Sequence, residues 1–269
     1  MIDPFWLLFA AKLALTAGIV VTASLLVERS GPLLGAMIAT LPISAGTAYV
    51  FLAMEHDAAF VSGSALASLA VNAATAVFLT LYSLLARSRG LAISLTVGLL
   101  GWAAAAAAIG RVGWMLPGAV ALNLVVFAAC LTLALRRLAA APPVRAAARR
   151  WDIPVRAAAV MSLIAAVLLI GRVLGPTAAG FAALFPVVTG SLAMLLHPRI
   201  GGTATAAVFA NALIGMAGYI PALALVHIAA PPLGSAAALG LGLAACVLWN
   251  AGMLALRMRR RPLIPQPQD

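Results

Sequence analysis

The sequence predicts an all-α polytopic membrane protein: nine transmembrane helices arranged as two inverted four-helix repeats joined by a linking helix. Three observations carry this prediction. Of the 269 residues 65% are hydrophobic and only 9% charged, with a mean hydropathy of +1.13, which is more apolar surface than a water-soluble domain of this length buries. Nine apolar runs are each long enough to cross a bilayer core, which takes about 20 helical residues. Finally, the stretch 31–47, GPLLGAMIATLPISAGT, recurs without a gap as GPTAAGFAALFPVVTGS at 175–191.

The repeat pairs Gly31 with Gly175, Pro32 with Pro176, Ala39 with Ala183, Pro42 with Pro186, Gly46 with Gly190 and Thr47 with Ser191, and the same offset pairs Lys12 with Arg156. Such a match makes positions equivalent before any single residue is interpreted. The nine spans are predicted at 5–27, 31–54, 58–86, 90–109, 114–135, 155–172, 175–196, 202–227 and 233–256. Spans 1 to 4 make repeat A (1–112), span 5 and the basic loop after it make the link (113–154), spans 6 to 9 make repeat B (155–258), and 259–269 is a cytoplasmic tail. Because one span lies between the repeats, their first spans enter the membrane from opposite sides, and the copies are inverted. Trp102 in span 4 and Trp249 in span 9 are a weaker echo, aligned by a short insertion.

The net charge of +11 is distributed by topology. Arg29, Arg87, Arg89, the cluster from Arg136 to Arg156, Arg199 and the run from Arg257 to Arg261 all fall on one side of the predicted spans, whereas only Arg111, Arg172 and Lys12 fall near the other. The positive-inside rule then puts the N-terminus outside and the C-terminus in the cytoplasm. Arginines at the ends of apolar runs are explained by orientation, so nucleic-acid binding is excluded. The linker 136–154 contains Trp151, an expected headgroup-level anchor in the bilayer. Cys130 and Cys246 lie inside apolar runs and read as small core residues rather than a disulfide or metal pair. MIDPFW at the start has no basic region of a cleaved signal peptide. Gly31 with Gly35 and Gly240 with Gly242 permit close helix contact, which is compatible with a homodimer.

The sharpest chemical signal is the pair Pro42 and Pro186. Each follows its helix-opening glycine by eleven residues, or about 16 Å of helix, half of a core of about 30 Å. A proline there removes a backbone donor and frees the carbonyl four residues earlier, here Ile38 and Ala182. Thr40, Ser44 and Thr47 surround the first break, and Thr189 and Ser191 the second. Asn72 and Asn211, on the spans that follow the two breaks, complete the predicted substrate-binding set, and Asn123 and Asn250 read as interhelical glue. The competing reading of the whole set is ordinary packing, with hydroxyls bonded back to their own helices. Glu55, His56 and Asp57 read as a solvated outer turn, Lys12 as a snorkelling cation, and Ser62 and Ser64 as small packing residues. With six acidic residues, nearly all in loops or tails, no nucleophile with its base and no metal-binding set faces one cavity, so no enzyme, cofactor or metal is predicted.

Lys12 opening span 1, a small-residue run ending at Pro42 and Glu55 thirteen residues later together resemble the small bacterial GlpM-like membrane proteins. The resemblance covers 12–109 and, more loosely, 156–257, with Arg199 standing in the position of Glu55. It implies a fused, inverted tandem of units that are single four-helix proteins in that family, associated with envelope polysaccharide production. The sequence thus predicts a small-solute permease working by alternating access around the Pro-broken spans 2 and 7. The alternative is a non-transporting accessory component of envelope polysaccharide or lipid biosynthesis.

Overall fold

The computed structural model describes residues 4–29, 43–137 and 151–259. Among these every element is an α-helix: α1 (Pro4–Arg29), α2 (Ile43–Glu55), α3 (Ala58–Leu85), α4 (Leu91–Ile109), α5 (Leu116–Arg137), α6 (Asp152–Ala183), α7 (Val187–Met216), α8 (Tyr219–Leu233) and α9 (Ser235–Arg259). Five stretches are long and apolar enough to cross a membrane: 58–85, 91–109, 116–134, 152–233 and 235–256; Leu7–Thr22 and Ile43–Glu55 are shorter apolar helices. The outer surface is apolar too. Val125, Val173 and Leu248 are each more than two-thirds exposed, as expected for side chains that face lipid.

α3 is the axis of the molecule. Its most apolar stretch is 83% buried, against 28%, 22% and 17% for α4, α5 and α9. It packs against α2, α4, α5, α6, α7 and α8. The sequence allows this because Ala, Ser and Gly fill its first half, AAFVSGSALASLA, and small side chains let neighbouring backbones approach. Asp57 starts the helix by accepting a hydrogen bond from the Phe60 N–H at 2.8 Å.

The 82-residue run 152–233 is several times longer than one crossing and has to fold back on itself. Gly175 (φ 81°) and Gly201 (φ 79°) supply the turns in a backbone region that side chains disfavour. Pro176 follows the first turn as the opening residue of a short helical segment, a position where its missing N–H costs nothing. Contacts along α3 trace the path. Pro176 lies beside Gly63, Gly180 beside Ser64 and Ser68, Leu184 beside Thr75, His197 beside Tyr82, and Gly202 beside Ala86. The chain from Pro176 to Gly202 therefore runs the length of α3, in its direction. After Gly201 it returns: Phe209 packs on Tyr82 with ring centroids 4.4 Å apart, and His227 reaches Ser62.

Several predicted boundaries need correction. Span 7 is split, its first part closing α6 and its second part opening α7 across 184–186. Span 8 is interrupted at 217–218, where the Trp249 indole N–H donates to the Ile214 carbonyl at 2.9 Å and packs against Gly218. α6 begins at Asp152, inside the expected linker, because that acid sits in the first turn and is held by Arg199. Of span 2, only the part from Ile43 lies within the described residues. Gly242, expected to serve contact between copies, faces Val226 and Ala222 of α8 within the chain, and Gly31 and Gly35 lie outside the described residues.

A close backbone approach on α3 gives a test. A Cβ on Gly180 would stand 2.3 Å from the Ser64 carbonyl oxygen and 2.8 Å from Ala67, whereas one on Gly190 would meet nothing nearer than 3.9 Å. Gly180→Ala is expected to lower stability in detergent by about 1–3 kcal/mol, as overpacking does. Gly190→Ala is expected to keep or raise the melting temperature, read in both variants by tryptophan fluorescence.

Candidate functional site

The polar groups of α3 form a seam. Ser64, Ser68, Asn72 and Thr75 recur at helical spacing on one face, and all four are buried. Ser68 Oγ accepts from the Tyr49 hydroxyl of α2 at 2.7 Å and donates to the Gly180 carbonyl at 2.7 Å. Thr75 Oγ1 donates to the Leu184 carbonyl at 3.2 Å and accepts from the Trp102 indole N–H at 3.3 Å. Asn72 donates to Asn123 Oδ1 of α5 at 3.0 Å, and Asn123 donates in turn to the carbonyls of Leu69 and Ala119. Ser64 Oγ and Asn72 Oδ1 are buried without a hydrogen-bond partner.

This seam meets the backbone break at Pro186. Three residues, 184–186, separate the short segment that ends α6 from the start of α7, about 25 Å along an α3 that is about 42 Å long. The break thus falls a little past the midpoint of α3. Its carbonyls, however, are already bonded. The Phe185 N–H donates to Ala182 O at 3.1 Å, Val187 N–H to Phe185 O at 2.8 Å, and Gly190 N–H to Pro186 O at 2.8 Å, while Ser68 and Thr75 take Gly180 and Leu184. The Ala182 carbonyl, expected to be freed for a solute, thus accepts a hydrogen bond within the local turn.

Among the described residues, three hydroxyls of the predicted substrate-binding set bond their own helices. Thr47 Oγ1 donates to Ile43 O at 2.6 Å, Thr189 to Pro186 O at 3.2 Å and Ser191 to Val188 O at 2.8 Å, each a bond back to its own backbone. Ser44 is half-buried in the first turn of α2. Asn211 is exposed on α7 and donates to Ala207 O, whereas Asn72 is buried against α5. Thr40 and Pro42 lie outside the described residues.

Two apolar cavities flank the seam. One, of about 690 Å³, lies among α1, α2, α8 and α9 and is bounded by Leu15, Gly46, Thr47, Leu223 and Leu239. The other, of about 730 Å³, lies among α4, α6 and the start of α7 and is bounded by Trp102, Leu163, Phe181, Phe185 and Val187. Of the predicted site, Thr47 borders the first, and the two neighbours of Pro186 border the second. Both volumes fall in the range of about 300–1,000 Å³ that holds a small-molecule ligand. Their walls are mostly hydrocarbon.

Charged residues pair at the two ends. Lys12 Nζ bonds Glu55 Oε1, with both side chains less than a fifth exposed, and the ammonium lies 5.8 Å from the centre of the Phe51 ring. Arg199 grips Asp152 with two parallel hydrogen bonds, the Nη1–Oδ2 one at 2.6 Å. Reading Glu55 as a solvated loop and Lys12 as snorkelling missed the first pair; placing Asp152 in a basic linker missed the second. The signal available was that Glu55 and Arg199 occupy equivalent positions with opposite charge. Nor is Ser62 mere packing, because its hydroxyl donates to the His227 carbonyl at 2.8 Å and stands 2.9 Å from His227 Nδ1.

Removing a hydroxyl that serves the break should cost more than removing one that bonds its own helix. Ser68→Ala and Thr75→Val are each expected to destabilise the protein by about 1–2 kcal/mol, because a buried carbonyl loses its donor. Ser191→Ala should stay within about 0.5 kcal/mol. Unfolding in a graded detergent series measures the difference. No protein-family model, no curated protein and no solved structure matches this chain.

Proposed function

We propose that the chain is a nine-span permease of the bacterial inner membrane, N-terminus outside and C-terminus cytoplasmic, whose two inverted halves alternate access for an amphipathic, lipid-like molecule. The observation that carries the reading is the recurrence of helix boundaries at the spacing of the sequence repeat. Ile43 and Val187 start helices at equivalent positions, as do Leu91 and Ser235; Asp57 and Gly201 are equivalent turn positions, as are Gly90 and Gly234. Packing follows the same exchange, with α9 on α2 as α4 is on α7, and α1 on α2 as α6 is on α7.

Inversion is supported by the equivalent residues Glu55 and Arg199. Glu55 immediately precedes the start of α3, whereas Arg199 stands between His197, bonded to Tyr82, and Gly202, packed on Ala86 at its end. A parallel repeat would put both at one end. Arg87 and Arg89 share the Arg199 end, which the positive-inside rule assigns to the cytoplasm. Helices broken at mid-depth between inverted halves are the architecture of secondary transporters.

The cargo follows from what is left over. With the hydroxyls and carbonyls at Pro186 bonded internally, the space beside that break and beside α2 is hydrocarbon-walled and fits an apolar tail better than a small polar solute. The packing of Trp102 against Phe185 and Thr75 beside the break also favours a second reading, the non-transporting accessory component that goes with the GlpM-like resemblance.

Reconstitution in vesicles separates these. The protein is expected to expose inner-leaflet fluorescent lipid to a membrane-impermeant quencher, beyond the fraction reached in protein-free vesicles. Uptake of labelled sugars or amino acids without lipid movement would overturn the cargo. Movement of neither would leave the accessory reading.

A further inference from the structure

The two ion pairs occupy matched places in the molecule, and they are built with unequal strength. Lys12 and Glu55 tie α1 to the last residue of α2 at the start of α3; Asp152 and Arg199 tie the first turn of α6 to the stretch of α7 before Gly201, at the far end of α3. Lys12 is equivalent to Arg156, one helical turn from Asp152, and Glu55 to Arg199, so the second half makes the same tie with the signs exchanged.

The exchange matters because of where the charges fall on their helices. Asp152 is in the first turn of α6, where backbone N–H groups favour an anion, and Arg199 is at the end of a helical stretch, where carbonyls favour a cation. Its guanidinium holds both carboxylate oxygens. Glu55 is an anion at the C-terminal end of α2, opposed by the carbonyls there. Lys12 reaches only Oε1, and both Glu55 Oε2 and His56 Nε2 are buried without a hydrogen-bond partner. The first tie is the weaker by geometry, by dipole and by unmet bonding.

The weak tie also stands over a cavity. Leu15, one turn beyond Lys12, and Phe51 and Met54, in the last turn of α2, all border the cavity of about 690 Å³. The cavity among α4, α6 and α7 begins on α6 at Ser162, about 15 Å along the helix from Asp152. α2 is a helix of 13 residues joined to α3 through His56 and Asp57, and its last residue carries the tie.

We propose that these ion pairs are two latches on opposite membrane faces, and that Lys12–Glu55 is the one that releases, opening the α1–α2–α8–α9 cavity toward its own face while Asp152–Arg199 stays shut. The assignment of latches to the two faces rests on the transporter reading above. Glu55→Gln removes the ionic tie while keeping the side-chain shape. Exchanging the charges, Lys12→Glu with Glu55→Lys, puts a cation at the C-terminal end of α2 and makes this latch resemble the strong one.

The test reads access to Gly46→Cys, whose position borders the cavity and where an added Cβ would meet no neighbouring side chain or other helix within 4 Å, in a background with Cys130→Ser and Cys246→Ser. Labelling by a membrane-impermeant maleimide from the α3 N-terminal face is expected to rise about tenfold in Glu55→Gln, the effect of losing one charge-assisted bond. The charge exchange should return it to the parent rate or below, and Asp152→Asn should leave it unchanged. An unchanged rate in Glu55→Gln, or a rise that the exchange does not reverse, overturns the proposal. Should Glu55→Gln not assemble, Lys12→Gln answers the same question, because it removes the same tie from the other partner; an unchanged rate in it overturns the latch. Lipid movement in vesicles with unaltered labelling would reject the latch alone, and altered labelling without movement of any cargo would reject the transport reading alone.

Discussion

The hydrogen bonds that α3 donates to the broken backbone at 176–186 are the constraint on which the rest of the structure depends. Inside a bilayer no water is at hand to satisfy a carbonyl that a helix break exposes, so such a break persists only where protein supplies the donors. Ser68 and Thr75 supply them, and Gly180 lets the two backbones close to the distance that makes the bonds. This explains why the most buried helix is also the one richest in hydroxyls. Ser62, Ser68, Asn72 and Thr75 are joints between helices, and the apolar residues of α4, α5 and α9 are left on the outer surface.

The same constraint shapes the site. A break whose polar groups are spent internally offers a ligand only shape and hydrocarbon, and the two cavities beside α2 and α7 have that character. A polar solute entering them would lose its hydration with little in return. An acyl or isoprenoid chain would lose nothing, because it passes from one apolar environment to another.

Charge is confined to the ends for a related reason. An unpaired ion held away from water is costly, and Lys12, Glu55, Asp152 and Arg199 are each less than a fifth exposed, so each is held by a partner. The pairs lie about 40 Å apart along α3, close to the full thickness of a bilayer with its headgroups. They join different helices at the two ends.

By itself the sequence determined what periodicity, composition and equivalence can carry. The apolar runs, their lengths, the asymmetry of arginine and the depth of Pro186 are local or countable properties, and the helix start at Val187 and the turn at Gly201 fall close to where they point. Only the tertiary structure decided what those features are for. Thr47, Thr189 and Ser191 look like ligands in one dimension, and only coordinates show that each hydroxyl already has a carbonyl three or four residues back. Asn72 and Asn211 look equivalent as amides following breaks, yet one is buried against α5 and the other faces outward, because helix rotation is set by packing rather than by position in the chain. Lys12 finds Glu55 across 43 residues and Arg199 finds Asp152 across 47, separations at which sequence records charge but not proximity. A hydrogen bond or an ion pair is a property of two atoms in space, and the chain specifies which residues carry those atoms while the packed helices choose the pairs.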